Sequence, residues 1–244
     1  MKNEFIIGGW SQDLSAVPPQ TFSYAMYGMI TNFQGLTSGT AQWPGWSPAK
    51  TAAPQHAPCK VLWTYGGAGG SPTGTPANEQ EIAQITGATT AQNWAGVDFD
   101  NESSMNIGNV ARTTVELKKT GKETSYTFLA GWAFNNTPEE AGNIKSLVVN
   151  GQIDRFILMC YADAMWPMQD IVSNVGPAIE KTIAQGVDAK KVILALTYNG
   201  LTRENLDYFL DQVTGHNIGG LFIWEYPLLH SDDLAYICSK LKIN

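Results

Sequence analysis

The sequence is poor in charge and in cysteine. Asp, Glu, Lys and Arg make up 15% of the 244 residues, and the formal net charge is -7. Basic runs and basic residues interleaved with aromatic ones are absent, so we expect no binding to nucleic acid or to an anionic membrane. The three cysteines have no CxxC spacing, which predicts neither a disulfide framework nor a zinc site.

Long apolar runs and a secretory signal are also missing. The opening residues MKNEFIIGGW carry an acid and only a short apolar run, and no stretch of about twenty apolar residues follows. We therefore expect a protein that is cytoplasmic, that leaves the cell by another route, or that is an extracellular mature form. Linker-like and low-complexity segments are absent too, which predicts a single domain over residues 1–244 and, by expectation, a monomer.

Short apolar runs rich in β-forming residues are spaced along the whole chain. They are EFIIGGW, YAMYGMITNF, KVLWTYGG, AGVDFD, SYTFLAGW, RFILMCYA, KVILALTY and GGLFIWEY. Helical patterns lie between most of them, at residues 76–90, 105–119, 170–185 and 202–213 and in segments that begin at Thr137 and Ser231. Thr137 and Ser231 are the predicted N-caps, with Glu140 as the capping-box partner of Thr137. Strands that alternate with helices predict parallel pairing, and eight such units in about 250 residues predict an α/β fold, the (β/α)8 barrel. A doubly wound open sheet is the alternative.

One of these runs carries three acids. In WAGVDFDNES, residues 94–103, Asp98, Asp100 and Glu102 alternate with other residues, which places all three on one face of a strand. Neighbours on one face are only about 6.6 Å apart, so three ionised carboxylates would repel one another unless some are protonated, hydrogen-bonded or facing a cation or substrate. In a barrel they would lie at the C-terminal end of the strand, where active groups gather.

These positions suggest different roles for the acids. Asp98, the deepest, should share a proton or a hydrogen bond with Asp100, and Glu102 should have a raised pKa and act as a general acid. A structural acid cluster or a divalent-cation site is the alternative. A metal-dependent enzyme is disfavoured because all three histidines fall outside the predicted strand ends, namely His56, His216 and His230. A serine hydrolase is disfavoured because no GxSxG elbow is present.

The segment AGVDFDNE resembles the DGxDxDxE signature of glycoside hydrolase family 18, the chitinases and endo-β-N-acetylglucosaminidases, whose members are (β/α)8 barrels. Three companion segments resemble other parts of that family. Thr64, Gly66 and Gly67 match the family's SxGG segment on the third strand. Met159 and Tyr161 match its MxYD segment on the sixth strand, and Trp224 matches the tryptophan that ends the eighth.

The resemblance implies retaining, endo-acting hydrolysis of β-1,4-linked N-acetylglucosamine glycans, such as chitin, by substrate-assisted catalysis and without a cofactor or metal. Glu102 would protonate the glycosidic oxygen and then activate water. Asp100, tuned by Asp98, would stabilise the acetamido group as it forms an oxazolinium ion, assisted by Tyr161. The resemblance also implies substrate-binding roles for Thr64, Gly66, Gly67, Met159 and Trp224. Trp224 would form the floor under the sugar, and Thr64 would supply a hydroxyl to the inner acid.

Two positions depart from the family pattern. Ala95 replaces the first Asp of the signature, and Ala162 replaces the Asp that follows the sixth-strand tyrosine. Asp163, one residue further on, is the candidate substitute for substrate binding, although a shift by one residue on a strand reverses the face. Residues 197–219 hold one helix and leave no room for an inserted α+β domain, which predicts a shallow, open groove.

Two other functions are compatible with the resemblance. One is a chitinase-like lectin that binds glycans without cleaving them, and the other is an endo-β-N-acetylglucosaminidase acting on N-glycans. Family members that have lost catalysis usually lack the acid at the position of Glu102, so its presence favours an enzyme.

Overall fold

Eight parallel strands form a closed barrel in chain order, β1 to β8. A computed structural model describes residues 4–30, 47–67, 73–130, 137–161 and 166–243. The strands are β1 Ile6–Ser11, β2 Tyr24–Ile30, β3 Lys60–Gly66, β4 Gly96–Asn101, β5 Glu123–Leu129, β6 Arg155–Met159, β7 Val192–Thr197 and β8 Gly220–Trp224. The predicted (β/α)8 barrel is confirmed, and the alternative of an open sheet is wrong because β1 pairs with β8.

The α-helices of the described ranges are α1 Glu79–Ala91, α2 Ile107–Lys119, α3 Pro138–Asn150, α4 Met168–Ala184, α5 Arg203–Gly215 and α6 Ser231–Leu241. Thr137 caps α3 as predicted, since its hydroxyl accepts from the Glu140 backbone N–H at 3.2 Å. The last helix is capped by His230, not by the predicted Ser231. In the part of the chain that the structure describes, no helix is long and apolar enough to span a membrane.

Alternate side chains of β4 lie in two different environments. Val97 and Phe99 point outward into the layer between barrel and helices, where both are fully buried. Asp98 and Asp100 point into the barrel, whose interior is filled by a separate apolar cluster, Trp10, Met26, Leu62, Ile157, Ile193, Ala195 and Phe222. The acids therefore stand on a packed floor and not in an open channel.

A charged group closes the barrel at the N-terminal ends of the strands. The Arg155 guanidinium lies 4.0 Å from the centre of the Tyr24 ring, and its Nη1 donates to Glu123 Oε2 at 2.6 Å. Burial raises the pKa of Glu123, but the Arg155 charge and the hydrogen bonds from Lys60, Arg155 and Tyr24 outweigh it and lower the pKa to about 2. This end of the barrel holds paired charges, which is typical of a stabilising and not a catalytic face.

Gly96 packs directly against the backbone of Glu123 on β5, and we expect Gly96→Ala to be severely destabilising. An added Cβ would lie 2.0 Å from the Glu123 carbonyl oxygen, so the two strands would have to separate, lowering the free energy of unfolding by about 3 kcal/mol. Gly87→Ala in α1 is the matched control, because nothing lies within 4 Å of its added Cβ, and a gain of about 0.5–1 kcal/mol is expected there. Urea unfolding of both variants checks this; equal stability would contradict the close approach.

Candidate active site

The three acids of β4 meet a small cavity at the C-terminal end of the barrel. Asp98 and Asp100 are buried, and Glu102, just beyond the strand, is partly exposed. The cavity has a volume of about 130 Å³ and is lined by Trp10, Met29, Asp100, Glu102, Met159, Tyr161 and Trp224. The cavity thus brings together five of the ten residues that the sequence predicted as catalytic or substrate-binding, namely Asp100, Glu102, Met159, Tyr161 and Trp224.

Asp98 accepts four hydrogen bonds. Its Oδ2 accepts from Trp10 Nε1 at 2.9 Å and from Thr64 Oγ1 at 3.2 Å. Its Oδ1 accepts from Ser125 Oγ and from Thr127 Oγ1, each at 2.7 Å. The predicted hydroxyl of Thr64 is therefore in place. The proton sharing between Asp98 and Asp100 that the sequence predicts stays a prediction.

One carboxyl oxygen of Asp100 accepts no hydrogen bond from the described residues. Its Oδ1 is buried and has no hydrogen-bond partner among the described residues. Burial, and next the charges of Glu102 and Asp98, raise the pKa of Asp100 well above its usual value. Leaving a buried acceptor unpaired costs about 1–3 kcal/mol, so a ligand that brings an N–H or O–H to this oxygen recovers that energy.

Tyr161 lines the cavity on the side of β6. Burial, followed by the charges of Asp100, Glu102 and Asp98, raises the pKa of Tyr161 well above its usual value. The phenol therefore stays neutral and can donate its hydrogen to a ligand. Met159 is buried and Trp224 half-buried, so the cavity joins two polar groups to an apolar wall.

Gly66 and Gly67 lie behind the acids and do not line the cavity. Both have positive φ, +104° and +93°, a conformation that favours glycine. A Cβ at Gly66 would lie 2.3 Å from the Asp100 carbonyl oxygen, and one at Gly67 would lie 2.1 Å from Met29 Sδ. The two glycines thus let the end of β3 bend against β4, as predicted. Ala162 and the predicted Asp163 lie outside the described residues.

Several residues of the site were missed by the sequence reasoning. Ser125 and Thr127 alternate with aromatic residues in SYTFLAGW, the same period of two that revealed the acids, so a signal was present. Trp10 ends the first apolar run, in the position relative to β1 that Trp224 has in β8. Met29 carries no signal in the sequence that distinguishes it from a core methionine.

A brace joins the strands that carry the two tryptophans. The Glu225 carboxylate accepts from Ser11 Oγ at 2.6 Å, and its two oxygens accept from the backbone N–H of Gln12 at 2.8 and 2.9 Å. Glu225 follows Trp224 directly, so these bonds fix the end of β8 against the end of β1. Both aromatic walls of the cavity are held by this contact.

A second, polar cavity lies on the other side of Glu102. It has a volume of about 240 Å³ and is lined by Asn101, Glu102, Ser103, Ser104, Leu129, Thr137, Glu139, Glu140 and Asn143. Glu102 is the residue that the two cavities share.

Hydrogen bonds hold the backbone on both sides of Glu102. Asn101 Oδ1 accepts from the Met105 N–H at 2.9 Å, and Asn101 Nδ2 donates to the Tyr126 hydroxyl at 2.7 Å. That hydroxyl donates to Glu140 Oε1 at 2.7 Å. The predicted capping-box role of Glu140 is therefore wrong, because its carboxylate turns to Tyr126. The chain segment that presents Glu102 is anchored to β5 and to α3.

Metal binding has little support in this geometry. Over the described ranges, no group of three or more His, Cys, Asp and Glu side chains is arranged to hold a metal ion. The Asp98 oxygens, which would be the deepest ligands, are already occupied by four hydrogen-bond donors. None of the residues that line the cavity is a histidine.

Asp100→Asn is expected to stabilise the fold at neutral pH. The pKa of Asp100 is raised in the folded state, so the unfolded chain releases this proton first and stability falls as the pH rises from the unfolded towards the folded pKa. Asparagine has no such proton, so the gain in the free energy of unfolding of Asp100→Asn over the wild type should be large at about pH 7 and small at about pH 3. Thermal unfolding at both pH values measures it, with the exposed Asp211→Asn as control. A gain of equal size at both pH values would contradict this reasoning.

Comparison with known proteins finds no matching family model and no matching curated protein. Solved structures do match. The catalytic domain of the hyperthermophilic chitinase from Pyrococcus furiosus is 16% identical with a TM-score of 0.65, covering 91% of this chain and 84% of that one. The spore cortex-lytic enzyme SleL of Bacillus megaterium QM B1551 is 11% identical with a TM-score of 0.69, covering 98% and 75%. The chitinase from Chromobacterium violaceum ATCC 12472 is 10% identical with a TM-score of 0.66, covering 98% and 100%. The chain thus has the barrel fold of chitinases and of a spore cortex-lytic enzyme.

Proposed function

We propose that this protein is a retaining, endo-acting glycoside hydrolase of the family 18 type, which cleaves β-1,4-linked N-acetylglucosamine glycans such as chitin or chitooligosaccharides. The observation that carries the proposal is the unpartnered Oδ1 of Asp100, buried beside Glu102 and Tyr161 in one cavity. An acetamido group offers the N–H that this oxygen lacks and a carbonyl oxygen that Tyr161 can bond. The acid pattern and the barrel shared with chitinases support the same assignment.

In the first step Glu102 gives its proton to the glycosidic oxygen while the acetamido oxygen of the same sugar attacks C1. The bond from C1 to the leaving oxygen breaks, the leaving chain gains a hydroxyl, and an oxazolinium ion forms. Asp100 accepts the acetamido N–H through Oδ1, which orients the group and stabilises the positive charge that develops. No protein nucleophile is needed, which fits a site whose deepest acid, Asp98, is fully hydrogen-bonded.

In the second step water attacks C1 and opens the oxazolinium ring. Glu102, now ionised, takes a proton from that water, so the residue ends the cycle as it began. The new C1–O bond forms on the face from which the leaving group departed, because the acetamido oxygen had occupied the opposite face. Retention of configuration follows from these two displacements.

The walls of the cavity suit a sugar ring. Trp224 at the end of β8 and its register partner Trp10 on β1 offer flat apolar surfaces, and Met29 and Met159 also line the cavity. Aromatic faces stack on the apolar side of sugars, and the polar cavity beyond Glu102 can take the leaving part of the chain. The cut would therefore fall inside a chain that occupies both cavities.

Glu102→Gln is expected to abolish turnover and to leave binding intact. Glutamine keeps the size of the side chain but has no proton to donate, so kcat should fall by about 10²–10⁴-fold. Release of a fluorescent aglycone from chitobiose and chitotriose conjugates between about pH 4 and 8 measures it, with calorimetry for binding. Glu116→Gln, at an exposed site on α2, is the matched control.

The outcomes of this experiment separate the alternatives. Binding of chitotriose by both proteins without turnover by either would favour a lectin. Turnover only on an N-glycan core would favour an endo-β-N-acetylglucosaminidase. Full activity of Glu102→Gln would contradict the assigned general acid, and loss of wild-type activity on chelation would revive a metal-dependent mechanism.

A further inference from the structure

The groove around Glu102 is lined by acids and by no base. It consists of the two cavities that share Glu102, whose linings add the carboxyl groups of Asp100, Glu139 and Glu140. Among the described residues that line it, none is a lysine, an arginine or a histidine. The groove also contains the buried Oδ1 of Asp100, which has no hydrogen-bond partner in the part of the chain that the structure describes and so indicates a bound ligand. Such a ligand meets acids on both sides of Glu102.

Charge is divided between the two ends of the barrel. The helices begin near the C-terminal ends of the strands, which form the mouth where the groove lies. Most of the described α-helices carry acids in the first turn, and the basic residues of their last turns lie at the opposite end. The first-turn acids are Glu79, Glu81, Glu139, Glu140, Asp170, Glu204, Asp232 and Asp233, and the last-turn bases are Lys118, Lys119, Lys181 and Lys240. A helix N-terminus adds a positive charge of about half a unit, which one ionised carboxylate more than cancels.

Two arginines on helices that begin at the mouth are paired with acids and do not line the groove. Arg203, the first residue of α5, places its Nη2 3.6 Å from Asp233 Oδ1 and its guanidinium carbon 3.9 Å from the centre of the Tyr236 ring. Arg112 on α2 pairs with Glu79. No lysine, arginine or histidine occurs in the four internal segments outside the described residues, which are 31–46, 68–72, 131–136 and 162–165. These segments therefore hold no base that could neutralise the groove.

Glu139 and Glu140 line the polar cavity of about 240 Å³, the leaving-side cavity, to which the proposed function assigns the leaving part of the chain. Both lie in the first turn of α3, where Glu139 is exposed and Glu140 is partly buried. Glu140 accepts from the Tyr126 hydroxyl through Oε1 at 2.7 Å and from Asn143 Nδ2 through Oε2 at 3.4 Å. A carboxylate accepts at about four positions, so Glu140 can accept further hydrogen bonds from a ligand.

We propose that the groove selects its glycan by charge, and that Glu139 and Glu140 favour a sugar with a free amino group, and disfavour one with a carboxylate, on the leaving side. The inference rests on the proposed function, which fixes the position of the cut at Glu102. The sugar that is attacked at C1 must keep its acetamido group, because that group is the nucleophile. The leaving sugar has no such requirement, and a protonated amine at its C2 donates charge-assisted hydrogen bonds to a carboxylate. The substrate class is therefore partly deacetylated chitin.

Glycans with acidic sugars are disfavoured in either register. In bacterial wall glycans, alternate β-1,4-linked sugars carry a lactyl group with a carboxylate, so every bond has such a sugar on one side. As the leaving sugar it would lie in the cavity with Glu139 and Glu140, and as the attacked sugar it would lie in the cavity with Asp100. Like charges repel, and no base among the described residues of either lining compensates. The groove thus separates these glycans from chitin, although both have the linkage and the acetamido group.

The test uses oligomers in which N-acetylglucosamine and glucosamine occur in random order. Each cut turns the attacked sugar into a new reducing end and the leaving sugar into a new non-reducing end, so sequencing of the products by mass spectrometry reads both positions. At about pH 6 and low salt the new reducing ends should be N-acetylglucosamine, as the proposed function requires. The new non-reducing ends should be enriched in glucosamine by about threefold to tenfold over its fraction in the oligomers, as the charge selection requires.

Charge-removing variants assign the enrichment to the two glutamates. Glu139→Gln and Glu140→Gln keep the size of the side chain, and the amide oxygen at position 140 can still accept from the Tyr126 hydroxyl. Each should lower the enrichment by about twofold, and the double variant should bring it close to the bulk fraction. Glu116→Gln removes the same charge at an exposed site near the end of α2 and should leave the enrichment unchanged. Salt at about 1 M should reduce the enrichment in the wild type, because it screens charges beyond about 3 Å.

Bacterial wall glycan strands without their peptides provide the anionic counterpart. The wild type should cleave them at least about tenfold more slowly than acetylated chitin oligomers of the same length. The double variant of Glu139 and Glu140 should narrow this difference. Thermal unfolding of every variant confirms that the comparison is made on folded protein.

The results separate the two proposals. Bulk proportions of the two sugars at the new non-reducing ends, an enrichment that neither variant lowers, or wall glycan cleaved as fast as chitin would overturn the charge selection and leave the hydrolase standing. A wild type that turns over no glycan would overturn the hydrolase. Calorimetry with the trimers of glucosamine and of N-acetylglucosamine then decides the charge selection, because Glu139→Gln should weaken a preference for the glucosamine trimer, and equal binding of both trimers would overturn it. Glu139 is exposed, so its variant decides even if Glu140→Gln fails to fold.

Discussion

The site depends on the solvation of one buried carboxylate by protein groups. Asp98 is fully buried inside a closed parallel barrel, so the polar atoms of its carboxyl group must be satisfied by donors from other strands. These donors come from β1, β3 and β5, and they attach to a residue on β4. The same four bonds that make Asp98 tolerable in the core also fix the strand that presents Asp100 and Glu102. Stability and chemistry therefore share one set of contacts.

The sequence predicted the elements and the orientation of the acids, but of the four donors to Asp98 it indicated only Thr64, through the family resemblance. A period of two within one strand is enough to say that Asp98, Asp100 and Glu102 face the same way. It contains no information on register between strands, and the donors to Asp98 are 88 residues away at Trp10 and 27 residues away at Ser125. Reasoning within β4 alone therefore could not find Trp10, Ser125 or Thr127 as donors to Asp98.

The same limitation explains the role of Glu140. Its position three residues after Thr137 fits a capping box, and the local pattern gave no reason to look further. In the folded chain Tyr126, brought close by the packing of α3 on β5, offers the carboxylate a buried hydroxyl. A tertiary partner thus replaced a local one. The result extends the influence of α3 to Asn101 and so to the residue that follows it, Glu102.

Closure of the barrel has a consequence for how the protein is made. Trp10 and Trp224 are register partners on β1 and β8, and the brace beside them joins Ser11 to Glu225 across 214 residues. Contacts of such long sequence separation form late, because the intervening chain must first be ordered. A nascent chain that has already completed β4 and β5 possesses its acids, their hydroxyl donors and Trp10, but not Trp224. The cavity beside Glu102 is therefore completed only with the final strand, so its presence is a sign that the barrel has closed.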